Sequence, residues 1–419
     1  MRHALFVAFH FPPEASSSGV LRTLKFVRYL EQYGWRVTVI APNVDSYDLT
    51  DPELETQVPA SCRVVRTRYL NTKRHLALYG RYPALLAVPD TWIGWVPWAV
   101  SAARRIHATD PVDLIYSTSP HASAHLIARS VARVSQRPWV TDFRDPWVED
   151  PPEPGAPDGF LFRSINRALE RSVIKSCHAV VGSTNGISEM LRRRYPHVSG
   201  EKFHTIFNGY DETDFQDLDA ETGRSEHMLI VHAGMLNPEF RDPRPLFRAL
   251  RRCSDARSID LAKVRLRLIG GGPFAESREV HGEISRLELD DVVQVIGRVP
   301  YKQSLQQLAA ADLLLLIQAS ADTASLVPAK LYEYLRMQRP VLGLVQHGAS
   351  AEVIETTRGG WVVCPDDDAA LADRLSEAYH QWTMGTLPDV KADLQALRRF
   401  DRKLLTAELA KLFDRLTGS

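Results

Sequence analysis

The chain has 419 residues, 44% hydrophobic and 24% charged, with 51 Lys and Arg balanced by 51 Asp and Glu. That length exceeds one ordinary core and predicts two domains, and the apolar share is that of a globular chain. Zero net charge excludes the basic footprint of a nucleic-acid binder. Four scattered cysteines, Cys62, Cys177, Cys253 and Cys364, form no CxxC pair, so neither zinc nor a disulfide framework is expected and a reducing cytosol fits best.

The N-terminus, MRHALFVAFHFPP, carries a short apolar run broken by His10 and ended by Pro12 and Pro13. It reads as a first strand, since a signal peptide needs a longer apolar region. No stretch reaches the roughly 18–20 apolar residues that span a bilayer. Strands are expected at 4–9, 35–42, 112–118, 139–143, 178–183 and 204–209, with helices at 19–33, 94–107, 121–134, 161–176 and 184–194. Residues 210–226 are acidic and nearly free of aliphatic side chains, which reads as a linker. A second series follows, with strands at 228–234, 265–271, 292–297, 312–317, 339–345 and 360–364. Alternation of this kind predicts an α/β chain with two doubly wound parallel sheets. The expected domains are 1–215 and 227–395, joined by a linker at 216–226. A closing helix at 396–419 has the option of packing back on the first domain.

The segment LVPAKLYEYLRMQRPVLGLV (326–345) is the most informative. Pro328 can open a helix that runs from Lys330 to Met337, and its N-terminus would offer unpaired N–H groups to a diphosphate. Glu333, one turn inside, can accept hydrogen bonds from vicinal hydroxyls; spacing alone leaves it an ordinary exposed helix acid. Lys330 is either a phosphate cation or a solvated helix residue. IGGGP (269–273) lacks the P-loop lysine and serine and reads as a tight turn. The run Asp366–Asp368 reads as a helix N-cap, with no metal site expected.

PAKLYEYLRMQRPVL resembles the donor-binding segment of the retaining GT-B glycosyltransferases of family 4, in the P-x-K-x-x-E-Y variant of polysaccharide-type members. The resemblance implies two Rossmann-like domains facing a cleft. It makes Lys330, Leu331 and Glu333 part of the donor nucleotide site, with Glu333 on the ribose. Glu333 matches the second of the family's two donor-facing acids, and the first would fall at Ser325, so Ser325, Leu326, Val327 and Pro328 are expected beside the donor sugar. HAGMLNPEFRDPRPLFRAL (232–250) is similar to the family's G-R…K element. Gly234 matches its glycine, Met235 replaces the first cation, and Arg241 falls at the second, with Arg244 in reserve. The turn Gly297, Arg298, Val299 would offer backbone groups to the base. Gly19, in the first Pro-rich loop, would let the backbone approach the donor phosphate.

DFRDPW (142–147) resembles a subgroup signature, and NGYDETDF (208–215) resembles the family's marker for the last strand of the first domain, with Asn208 and Gly209 shaping a turn. Arg144 stands where many members place a histidine, between Asp142 and Asp145. Either Arg144 and Asp145 form a structural ion pair, or a carboxylate or His121 serves the acceptor hydroxyl. Trp92, Trp95 and Trp98 suggest an acceptor platform or a membrane interface, although core packing is commoner; Trp147 joins the acceptor candidates, and the loop 148–158 would cover the acceptor. The resemblance implies retention, no metal or other cofactor, and a nucleotide-diphosphate sugar co-substrate, UDP-linked before GDP or dTDP. The leaving diphosphate itself would take the acceptor proton. A cytosolic protein, with peripheral membrane contact as an option, fits. The rivals are a nucleotide-sugar 2-epimerase and a catalytically silent nucleotide-sugar binder.

Overall fold

The computed structural model describes residues 1–16, 19–79, 81–148, 160–216, 218, 226–319 and 323–418. Most of the expected linker and of the loop 148–158 lies outside them. The chain divides into two units, Met1–Asn208 with Arg402–Ser419, and Gly209–Asp401.

The first unit is built on seven parallel strands: β1 (Arg2–Ala8), β2 (Trp35–Pro42), β3 (Arg63–Thr67), β4 (Leu114–Thr118), β5 (Trp139–Phe143), β6 (Ala179–Gly182) and β7 (Phe203–Thr205). Their order is β3-β2-β1-β4-β5-β6-β7. β1 and β4 lie near the centre and are buried along nearly their whole length, as expected of strands covered on both faces. Alternate side chains Ala4, Phe6 and Ala8 share a core with Phe26 and with Leu409 and Phe413 of the helix Arg402–Leu416. That C-terminal helix is fixed further by Asp414, which pairs with Arg2 and accepts from the Trp35 indole at 2.9 Å. β3 is a sheet edge, and its arginines break the apolar pattern that marks the other strands.

The second unit has six parallel strands: β8 (Met228–Ala233), β9 (Val264–Ile269), β10 (Val293–Ile296), β11 (Leu313–Gln318), β12 (Val341–Val345) and β13 (Gly360–Val363). They are ordered β10-β9-β8-β11-β12-β13. Leu266, Leu268, Leu313 and Leu315 form one core with Phe247, Leu250, Leu371 and Leu375. Asp367 caps the helix Asp368–Met384 by accepting from the Ala370 N–H at 2.9 Å.

Each sheet winds outward from its middle in both directions. The reversals fall between β1 and β4 in the first unit and between β8 and β11 in the second. Ligands of open parallel sheets bind outside the carboxyl ends of the strands at such reversals.

Candidate functional site

In the second unit the reversal gathers two cations. The chain leaves β8 through Gly234, whose φ of +121° suits glycine. A Cβ there would lie 2.6 Å from the Lys330 Nζ, so the missing side chain is what lets the ammonium approach. Lys330 opens the helix Ala329–Arg336 and donates to the Ala233 carbonyl at 2.8 Å. It also lies 3.5 Å from His232 Nε2. His232 donates from Nδ1 to the Leu315 carbonyl at 2.9 Å, and burial holds it neutral. The Tyr334 hydroxyl accepts from the Ala233 N–H at 2.8 Å, locking the helix to the end of β8.

Arg241 arrives from a tight loop. Asn237 and Arg241 pair backbone to backbone, and the Asn237 carboxamide accepts from the Phe240 and Arg241 N–H groups at 2.8 and 3.1 Å. The Ala319 N–H ties the loop to the end of β11 through the Phe240 carbonyl at 2.8 Å. No carboxylate pairs with the Arg241 guanidinium among the described residues. Burial lowers its pKa. Burial also lowers the Lys330 ammonium to about 7, and the nearby Arg241 charge adds to this against Glu333. Two partly desolvated cations that repel one another are stabilised by an anion between or beside them. Arg244, by contrast, is engaged by Asp242 and Glu279. Met235 lies over the glycine turn after β9, where a Cβ on Gly272 would meet its sulfur at 2.4 Å.

Glu333 is buried. The Tyr301 hydroxyl donates to its Oε1 at 2.8 Å and lies 3.4 Å from Asp214 Oδ2. Tyr301 begins the helix Tyr301–Ala309, just past the exposed Gly297 and Arg298 and the half-buried Val299. Three residues past Glu333, at the end of the helix Ala329–Arg336, Arg336 grips Glu212 through 2.7–3.0 Å contacts and lies over the Phe215 ring. Leu331 is buried behind the site. Ser325 and Leu326 sit on a segment staked by Gln318, whose amide donates to the Thr323 and Leu326 carbonyls, and by Ser350, which donates to Gln318 and Leu326. Val327 and Pro328 lead from it into the helix. Nothing in the sequence pattern singles out Tyr301, His232 or Gln318 for this site.

In the first unit the reversal gathers histidines. His10 follows β1 and His121 follows β4, and their rings stack with centroids 5.3 Å apart. His10 Nδ1 is 3.0 Å from the buried Glu14, which also accepts from the Ser16 N–H at 2.7 Å. Burial, with the His10 and Arg144 charges adding, lowers the His121 pKa to about 3, so its ring is neutral at ordinary pH. Phe9 and Trp92 pack against it at 4.3 and 5.8 Å. The i, i+4 pairing of His10 with Glu14 was visible in the sequence, where His10 was noted only as a break in an apolar run.

Several expected residues stand elsewhere. Asp142 is fully buried. Arg22 donates to both of its oxygens at 3.1 and 2.8 Å, and Thr118 adds 2.9 Å. Burial opposes its charge, and Arg22 overrides this and holds the carboxyl below the usual range. Arg22 also donates to the Ile206 and Phe207 carbonyls and Asn208, so the pair clamps the start of the helix Gly19–Leu30 to the exit from β7. No Arg144–Asp145 ion pair forms among the described residues. Arg144 donates to the Ser119 carbonyl at 3.2 Å, and a Cβ on Gly19 would fall 1.6 Å from its guanidinium. Gly19 thus makes room for Arg144. Trp95 has no exposed surface and donates to Thr67, so it cannot face an acceptor. Trp147 donates to Asn166 at 2.8 Å. Of the four expected acceptor tryptophans, Trp92 alone has a ring contact with His121 among the described residues.

The fold matches HepE from Anabaena, solved in complex with UDP, over 99% of this chain and 100% of that one, with a TM-score of 0.68 at 18% identity. Sucrose-phosphate synthase from Thermosynechococcus elongatus matches over 100% of both chains, with a TM-score of 0.69 at 16% identity. Residues 19–209 match the glycosyl transferase 4-like domain, and residues 227–381 match the glycosyl transferases group 1 family. Each half of the chain thus matches a glycosyl transferase model. The putative colanic acid biosynthesis glycosyltransferase WcaL of Escherichia coli is 29% identical over 155 residues, 36% of this chain and 37% of that protein. The probable glycosyltransferase WbjE of Pseudomonas aeruginosa is 29% identical over 119 residues, 27% of this chain and 28% of that one. The matched segments therefore span well under half the length of these relatives.

Proposed function

We propose that the protein is a retaining glycosyltransferase of family 4, DFRDPW subgroup, which moves a sugar from a nucleotide diphosphate to a hydroxyl acceptor. The carrying observation is the pair of desolvated cations, Lys330 and Arg241, beside the buried carboxylate of Glu333. A diphosphate supplies the charge that the cations lack, and a ribose supplies the hydroxyls that a carboxylate accepts. UDP is the first choice of nucleotide, supported by the UDP complex of HepE; the acceptor is a polysaccharide, a glycolipid or a secondary metabolite, WcaL being named for colanic acid biosynthesis.

In this reading the backbone at Gly297–Val299 meets the base, and the segment Ser325–Pro328 meets the sugar. His121, Arg144, Asp145 and Trp92 belong to the acceptor side, whereas Asp142 positions the first unit through Arg22. The acceptor oxygen bonds to the anomeric carbon as the bond from that carbon to the phosphate oxygen breaks. The electron pair leaves with the diphosphate, which takes the acceptor proton on the same face. Catalysis is then chiefly positioning and stabilisation of the departing charge by Lys330 and Arg241. Radiolabelled UDP-, GDP- and dTDP-sugars, offered with and without EDTA, test the reading. Transfer or slow hydrolysis of one donor, unchanged by EDTA, is the expected result. Tight binding without any release would mark a silent binder, and a strict divalent-metal requirement would contradict the mechanism.

A further inference from the structure

Between Arg63 and His107 this charge-neutral chain carries eight Lys and Arg residues against one acid, Asp90. That acid is turned inward, where it accepts from the Ser123 N–H and hydroxyl and the Trp92 N–H, all at 2.8 Å. Within the stretch, residues 72–79 and 81–90 lie beyond β3 on an excursion closed at one neck. Thr72 donates its N–H to the Thr91 carbonyl at 2.8 Å, the Asn71 amide donates to the Thr91 hydroxyl at 3.2 Å, and the Thr72 hydroxyl donates to the Leu86 carbonyl.

What the neck holds out is apolar. Leu78 and Arg81 pair as an antiparallel bridge at the tip. There Leu78 is 77% exposed, Tyr79 fully exposed, and Leu85, in the short helical turn Ala84–Ala87, 62% exposed. Lys73, Arg74 and Arg81 on the same excursion are exposed as well. Arg74 lies 3.7 Å from Asp48, and neither Lys73 nor Arg81 has a carboxylate partner among the described residues. Of the tryptophans that suggested a membrane contact, Trp95 is in the core and Trp92 packs on Phe9, while Trp98 is 38% exposed, less than the residues at the tip.

We propose that the excursion 72–90 docks the protein on an anionic lipid surface, with Leu78, Tyr79 and Leu85 entering the interface and Lys73 and Arg81 facing the headgroups. Apolar side chains beside the cations Lys73 and Arg81, with Asp90 turned inward and the exposed Asp48 met by Arg74, fit a negatively charged bilayer better than a protein partner, whose contact would bring carboxylates to specific arginines. No helix among the described residues is long and apolar enough to cross a membrane. The docking requires no assignment of donor or acceptor, so it stands or falls apart from the proposed reaction.

The test is co-sedimentation of the full chain with phosphatidylcholine vesicles and with vesicles containing phosphatidylglycerol. Binding is expected on the anionic vesicles alone and should weaken as salt rises. Each charge reversal, Lys73→Glu or Arg81→Glu, should weaken it by more than the about fivefold expected for loss of one cation. The triple variant Leu78→Ser, Tyr79→Ser, Leu85→Ser should abolish it while leaving the melting temperature unchanged. Absence of binding to either vesicle, or a folded triple variant that binds like the wild type, would overturn the proposal. So would a vesicle-free dimer that the triple variant dissolves, which would assign the tip to self-association.

Discussion

At the scale of single residues, Lys330 is the most informative titrating group. Its ammonium sits near pH 7 in the free protein because of burial and Arg241. A bound diphosphate raises that pKa, so binding takes up a proton at any pH between the free and bound values. Affinity should therefore be full below about pH 7 and fall by up to about tenfold per unit above it. A nucleotide sugar is the right probe, since its diphosphate carries constant charge from pH 6 to 9. Titration calorimetry across that range should show the slope in the wild type and a flat profile in Lys330→Met. A flat wild-type profile would remove Lys330 from the phosphate site. Glu333 could be placed from the helix spacing and the family resemblance, but its contact with Tyr301 could not, because the tyrosine comes from a separate helix 32 positions away.

At the scale of elements, the strand–helix alternation was legible because the central strands are long apolar runs with turn residues between them. β3 was missed because an edge strand needs only one covered face, and RVVRT offers two apolar residues between arginines. The buried Arg22 was equally invisible, since an arginine on a helix is ordinarily solvated. Its partner shows why DFRDPW begins with an acid: Asp142 joins β5 to the helix Gly19–Leu30. Asp142→Asn leaves the Arg22 charge uncompensated inside the unit, and loss of one partner of a buried pair costs about 3–5 kcal/mol. Urea unfolding should show that loss. Unchanged stability with abolished turnover would return Asp142 to the chemistry.

For the molecule as a whole, two parallel sheets each bring their candidate site to the point where strand order reverses, cations in one unit and histidines in the other. The repeated α/β pattern made that architecture readable. The return of the C-terminal helix to the first unit was only an option in the sequence, because the choice rests on Phe413, Leu409 and Asp414 meeting β1 and β2 residues some four hundred positions away. The second unit is proposed as a nucleotide-sugar site centred on Glu333, and titration of UDP, GDP and dTDP into the wild type and Glu333→Ala tests that assignment directly. One nucleotide should bind the wild type and lose roughly 10- to 100-fold in the variant, as expected when hydroxyls lose a charged acceptor. Equal affinity of the two proteins, with the variant folded, would contradict it.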